Sequence, residues 1–260
     1  GRSGNWFDSY CAAQLALALQ ALNEAAKSVK PRDRGSLVAD IKRGRQAFGA
    51  NWAAQYESSQ FPMRPERILG ELRKHVPEDG YIVTDVGWNK NGVGQQFTFN
   101  VPGTFITPSG LATMGFGPAA ALGVKMAQRD RAVVALIGDG GFGANPSVLA
   151  TAMEANLPVV FLVMDNAAYG TIAGLEKMHY GTEFGCLFER NGGEYRVDFA
   201  AVARGYGANG VFIQSADELG PALAAALKSD KPTVIQAPME NAPTPTPGHW
   251  NINDIYRKGE

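Results

Sequence analysis

The chain has 260 residues, 45% of them hydrophobic and only 19% charged, with 31 glycines. That composition is one of a globular α/β domain able to bury a proper core, and it excludes a disordered chain. A formal net charge of -1 with no long run of Lys or Arg argues against nucleic acid or an anionic membrane as the main partner. No apolar stretch approaches the roughly 20 residues that span a bilayer, and the lone pair Cys11 and Cys186, without a signal-like leader, reads as two reduced thiols of a cytoplasmic protein.

In chain order, Tyr10 to Val29 carries Leu15, Leu19 and Leu22 at helical spacing and predicts a helix stopped by Pro31. From there to Pro62 the chain turns polar and basic and reads as a linker holding one amphipathic helix, Leu37 to Phe48. Pro65 opens a short helix from Glu66 to Val76, followed by a strand at Tyr81 to Thr84. An alternation follows: Met114 to Ala127 helical, Ala132 to Ile137 strand, Pro146 to Ala155 helical, Val159 to Met164 strand. It continues with a helix near Phe199 to Gly205, a strand at Val211 to Ile213, a helix at Asp217 to Lys228 and a strand at Thr233 to Gln236. Apolar strands alternating with helices predict a doubly wound, mostly parallel sheet with helices on both faces, whose ligands sit beyond the carboxyl ends of the strands. The tail from Asn241 to Gly248, with Pro243, Pro245 and Pro247, is expected to be extended.

Chemistry concentrates at two strand ends. The strand at Ala132 to Ile137 runs directly into Gly138-Asp139-Gly140-Gly141-Phe142-Gly143, and the next strand runs into Asp165-Asn166-Ala167-Ala168-Tyr169-Gly170. If those strands are neighbours, Asp139 and Asn166 bring a carboxylate and an amide oxygen to one hard cation, with a backbone carbonyl as third ligand. The glycines allow backbone N–H groups close to a diphosphate, and a following helix start adds a favourable dipole. A Gly-Asp-Gly segment alone could be a tight turn; the preceding strand and Asn166 after the following one give it context. His75, His179 and His249 are too scattered for a zinc set, and Glu176 and Glu183 read as solvated.

Gly138-Asp139-Gly140, with Asp165-Asn166 about 25 residues on, resembles the motif of thiamin-diphosphate enzymes, in which Gly-Asp-Gly is followed by Asn-Asn. The resemblance implies the thiamin-diphosphate-binding fold, with Asp139, the Asn166 side chain and the Ala168 carbonyl as Mg²⁺ ligands. The sequence departs at the first of the paired asparagines, which is Asp165 here. Ser109-Gly110-Leu111-Ala112-Thr113-Met114-Gly115-Phe116-Gly117 is similar to the aminopyrimidine loop of the acetohydroxyacid synthase and benzoylformate decarboxylase branch. That likeness implies Met114 as the wedge that bends the cofactor, with the Ala112 carbonyl and the Met114 amide on its ring and Thr113 among the contacts. Asp85-Val86-Gly87-Trp88-Asn89 resembles a second diphosphate contact, through Gly87, Trp88 and Asn89, although a capping Asp and a packed Trp are the plain alternative. By the same resemblance Gly138, Gly140, Gly141, Phe142, Tyr169, Gly170, Thr171 and Ile172 complete the cofactor contacts.

The resemblance covers Pro65 to Met239 and implies three parts: residues 1–62 as the end of a middle domain plus linker, 63–240 as the diphosphate and Mg²⁺-binding domain, and 241–260 as a tail. In that family the cofactor carries the carbanion chemistry while the protein positions it, and an activating glutamate sits on a separate pyrimidine-binding domain. No such element is visible in this sequence, so the chain is expected to be silent alone and to need a second chain bearing that domain, in an assembly with at least two copies of each. A three-domain enzyme divided within its middle domain, by gene splitting or by proteolysis, would leave such a piece. Simple pyruvate decarboxylases carry a glutamate six residues after the ligand asparagine, where this sequence has Ile172. The resemblance therefore implies a carboligase or lyase of the acetolactate-synthase kind acting on a small 2-oxo acid, with a benzoylformate-type decarboxylase or a non-catalytic cofactor-binding relative as alternatives. An ordinary nucleotide-binding domain is disfavoured, because the glycines do not fall as Gly-x-Gly-x-x-Gly after the first strand.

Overall fold

The computed structural model describes residues 4–30 and 32–241, with side chains from residue 14 onward apart from residue 31. The Pro31 stop, the Cys11 side chain, His249 and the proline-rich stretch beyond Asn241 lie outside the described residues. The chain divides into two compact units, Gly1–Ala50 and Asn51–Glu260. In the first, helix α1 (Gly4–Ala26) begins earlier than the leucine spacing indicates, and α2 (Gly35–Ala50) opens where Asp33 Oδ1 accepts a hydrogen bond from the Gly35 N–H at 2.8 Å. Residues 51–62, expected as linker, fall in the second unit: they include α3 (Ala53–Tyr56), and Tyr56 packs against the core there.

The second unit is a six-stranded, wholly parallel sheet in the order β2-β1-β3-β4-β8-β7. Its strands are β1 (Tyr81–Thr84), β2 (Phe105–Ile106), β3 (Val133–Gly138), β4 (Val160–Asp165), β7 (Asn209–Phe212) and β8 (Thr233–Pro238). A separate hairpin pairs β5 (Glu189–Arg190) with β6 (Gly193–Glu194). Alternate strand residues feed two cores, one on each face. Ile82, Val134, Leu136, Val160, Leu162 and Ile235 pack against α4 (Pro65–His75), α5 (Trp88–Gln96) and α11 (Leu219–Ala226). Val83, Ala135, Ile137, Phe161, Val163 and Val234 pack against α6 (Phe116–Ala127), α7 (Asp139–Ala144), α8 (Val148–Glu154) and α10 (Phe199–Gly205). The period-2 side-chain alternation of a strand makes both faces apolar, as a doubly covered sheet requires.

Several elements have no counterpart in the sequence reading. Helix α5, WNKNGVGQQ, has two glycines and little helical signal, yet it forms because Val93 is fully buried and Gly92 lies where a Cβ would come within 3.0 Å of Leu69 Cδ1; packing overrides propensity. The β5–β6 hairpin turns at Asn191 and Gly192, with φ of 54° and 78°, the Asn-Gly signature of a tight hairpin that the polarity of the region masked. Helix α9 (Gly170–Tyr180) is the third. The metal-binding expectation required β3 and β4 to be neighbours, and they are: Gly138 pairs with Met164, so both strands end at the same level.

Candidate active site

Three strands deliver three helices to one cleft at the carboxyl edge of the sheet. After β1, Gly87 adopts φ 108° and starts α5; after β3, Gly138 starts α7; after β4, Tyr169 starts α9. None of these helix starts is capped by its N-cap side chain. The first-turn N–H groups of a helix lack intrahelical partners and carry the positive end of the dipole, so α5 and α9 form a cradle for an anion. The cleft brings together Gly87, Trp88 and Asn89 from the β1 exit, Gly138 to Gly141 from the β3 exit, and Asn166 and Ala168 to Ile172 from the β4 exit, with Met114 from the loop before α6. Val86, Met164 and Met239 also line it; Val86 lies within the Asp85 to Asn89 stretch, whereas Met164 and Met239 belong to no motif and only the folded arrangement reveals them.

The polar atoms inside the cleft are short of partners. Asp139 is buried; its Oδ1 accepts from its own Gly140 N–H at 2.8 Å, while Oδ2 has no hydrogen-bond partner. Burial first, and then the neighbouring Asp165 carboxylate, push the Asp139 carboxyl well above the ordinary carboxylate range. A divalent cation at Oδ2 would relieve both effects. Thr171 Oγ1 and Asn89 Oδ1 are likewise buried without partners. The Asn166 amide donates from Nδ2 to Asn241 Oδ1 at 2.9 Å, which assigns its Oδ1 to other contacts. An orphaned carboxylate oxygen, an amide oxygen and nearby carbonyls are the hard-oxygen donor set that Mg²⁺ takes, with phosphate and water completing the shell. Among the described residues no cluster of three or more His, Cys, Asp or Glu forms, so no zinc-type set is built.

Close backbone approach explains two of the glycines. A Cβ on Gly140 would stand 2.6 Å from the Tyr169 ring and 3.3 Å from Met114 Cε, and one on Gly170 would collide with the Asn166 amide. Two alanines, Ala112 and Ala167, are held at φ 52°. Such backbone is costly for a residue with a Cβ and clusters at ligand-binding loops.

The expected residues differ in how they stand to the cleft. Phe142 turns into the core, its ring 5.8 Å from Phe161 and 5.4 Å from Phe199, so its side chain does not reach the cleft. Ala112 and Thr113 lie outside the residues that line the cleft; of that loop only Met114 reaches it. Met114 is not a core methionine but is 38% exposed beside Phe116 and Ile172, at 37% and 47%. Asp85 is a cap, for α6 rather than for its own helix: its carboxylate accepts from Gly115 N–H at 2.8 and 3.1 Å and fills the space a Cβ on Gly141 would need. Its burial raises the carboxyl above its usual range, although backbone donors at Gly115, Val86, Gly117 and Phe116 pull the other way. Trp88 packs on the α5 side of the core while also lining the cleft. Glu176 is not simply solvated, because it accepts from Phe184 N–H at 2.8 Å and from the buried free thiol of Cys186 at 3.4 Å; burial, then Glu176, push that thiol up. Glu183 pairs with Lys177 at 3.7 Å, and His179 is exposed.

A parallel sheet with uncapped helix starts converging at its carboxyl edge is the architecture of a cofactor-binding domain. The family model "Thiamine pyrophosphate enzyme, C-terminal TPP binding domain" matches residues 85–237, and the chain belongs to that family of thiamin-diphosphate-dependent enzymes. It is similar to a probable acetolactate synthase large subunit of Methanococcus aeolicus, 34% identical over 179 residues that cover 67% of this chain and 29% of the relative. It is also similar to a 3D-(3,5/4)-trihydroxycyclohexane-1,2-dione hydrolase of Shouchella clausii, 32% identical over 225 residues, covering 85% of this chain and 35% of that one. Among solved structures it resembles a thiamine diphosphate-dependent 4-hydroxybenzoylformate decarboxylase of Rhodococcus jostii RHA1, with a TM-score of 0.64 and 28% identity, covering 70% of this chain and 34% of the other. The chain thus spans about a third of the length of these relatives. No helix among the described residues is long and apolar enough to cross a membrane.

Proposed function

We propose that this chain supplies the diphosphate- and Mg²⁺-binding half of a thiamin-diphosphate active site, in a carboligase or lyase that acts on a small 2-oxo acid. The observation that carries this reading is the orphaned Asp139 Oδ2 in a cleft where the uncapped starts of α5 and α9 meet. Asp139, Asn166 Oδ1 and the Ala168 carbonyl would hold the cation, and the first-turn N–H groups at Trp88, Asn89 and Thr171 would hold the diphosphate. The cofactor, when bound, supplies the carbanion and electron-sink chemistry. This chain's residues orient it: Met114 and Ile172 offer apolar surface at the rim, and Thr171 Oγ1 offers a hydroxyl donor. Ile172 places no titratable group at that rim position, which favours passing the activated fragment to a second carbonyl over simple protonation.

The half of the site that faces the cofactor's pyrimidine is proposed to come from outside these 260 residues, on a partner chain of an oligomer with at least two copies of each. The half-exposed Met114, Phe116 and Ile172 are the surface it would cover. Residues 1–62 are proposed to be the end of a preceding domain with its connection, 63–240 the cofactor domain and 241–260 a tail. Titration calorimetry with thiamin diphosphate tests the core of the proposal. Binding is expected with Mg²⁺ and not with chelator; identical heats in both would overturn it. Product analysis of the assembled enzyme given a 2-oxo acid, alone and with an aldehyde acceptor, separates ligation from decarboxylation.

A further inference from the structure

Arg196 stands immediately beyond the β5–β6 hairpin, outside every motif, yet its guanidinium reaches the β4 exit. Its Nη1 lies 2.8 Å from Asp165 Oδ1 and also donates to the Asp165 carbonyl, while Nε donates to Glu194 Oε1 at 2.7 Å. Asp165 is 1% exposed, and a carboxylate so deeply buried is tolerated only when paired and hydrogen-bonded. Its remaining oxygen, Oδ2, accepts from Gln236 Nε2 at 2.7 Å. Together with Arg196 and Asp139 it lines a second cavity. Asp165 Oδ1 also accepts from Ala167 N–H at 3.3 Å, across the turn in which Ala167 is held at φ 52°. That strained turn carries Asn166 on one side and Ala168 on the other. In the resembled motif an asparagine stands where Asp165 does, and an amide could accept the same N–H without a counter-charge.

We infer that Arg196 is a positioning residue for the cation donor set: by pairing with Asp165 it lets a buried carboxylate pin the Ala167 turn that aims Asn166 and the Ala168 carbonyl. The inference rests on the proposed metal site. The chain of action runs from guanidinium to carboxylate to Ala167 N–H to the two donor oxygens. Outer contacts of this kind cost about 10–100-fold in ligand affinity when removed.

Four proteins test it: the full chain, Arg196→Met, Asp165→Asn, and the double variant. Two readouts are taken, calorimetric affinity for thiamin diphosphate with Mg²⁺, and amide exchange of the peptide spanning residues 165–169. Arg196→Met is expected to weaken binding by about 10–100-fold and to speed exchange in that peptide. The double variant is expected to recover both, because the amide at 165 keeps the Ala167 bond and needs no cation. Unchanged exchange and affinity in Arg196→Met, or a double variant no better than the single one, would overturn the inference; a merely structural arginine gives the latter result. Failure of the parent chain to bind the cofactor strikes the metal-site reading instead, while the exchange readout, which needs no ligand, still decides whether Arg196 holds the turn.

Discussion

The loops after β3 and β4 lie side by side at one level of the sheet, yet they are held in opposite ways. The β3 exit is nearly self-contained: Asp139 bonds to its own neighbour Gly140, and α7 starts at once. The β4 exit is held from elsewhere in the chain, by Arg196 and Gln236 on Asp165, by Asn241 on Asn166, and by an isolated bridge from Ala168 to Leu187. Gln236 extends the support, because its Oε1 accepts from the Phe199 N–H at the start of α10 at 2.7 Å. One loop therefore owes its shape to its own residues, and the other borrows it from segments 19 to 75 positions away. A ligand group on the first is lost only by changing that group, whereas a ligand group on the second can be lost by changing its supports.

Replacement of the charged donor should show the largest effect. Asp139→Ala is expected to abolish Mg²⁺-dependent cofactor binding, since divalent ions of this kind rely on carboxylate oxygen. The melting temperature should not fall, because the side chain removed is a buried carboxylate with one oxygen unpartnered. Calorimetry and thermal unfolding on one preparation check both halves, and unchanged affinity would remove Asp139 from the site.

On the β4 side, Gly170→Ala places a methyl group against the Asn166 amide and within 3.0 Å of Asn241 Oδ1. Overpacking of this kind costs about 1–3 kcal/mol, and cofactor affinity should drop with the amide displaced. Denaturant unfolding with binding measured alongside would show it, and a variant with parental affinity would mean that Asn166 is not a ligand. A small stability effect is expected at the rim. Because Met114 is 38% exposed, Met114→Ala should cost well below the roughly 2–5 kcal/mol of a core methionine. Activity of the assembled enzyme should fall instead, and a variant that melts early with full turnover would favour a packing role.

The borrowed support explains which parts of the site were legible beforehand. Gly138, Asp139 and Gly140 form a contiguous motif after an apolar strand, so their meeting is decided within a few residues. Asn166 was legible for the same reason, but Arg196, Gln236 and Asn241 were not: each is an ordinary polar residue whose role exists only once β8, the hairpin and the β4 exit are neighbours. Phe142 shows the converse, since it shares a motif with Asp139 while the helical turn of α7 sends its ring to the opposite side, against Phe161 and Phe199.

What the sequence by itself determined was the alternation of strands and helices, hence a parallel sheet with apolar faces and a ligand edge at its carboxyl end, because side-chain periodicity and strand exits are local properties. Only the tertiary structure decided that β3 and β4 adjoin, that three uncapped helix starts converge, and that Asp165 is paired with Arg196 and Gln236. Those outcomes depend on which distant segments pack together, and buried charge settles where such packing brings it a partner.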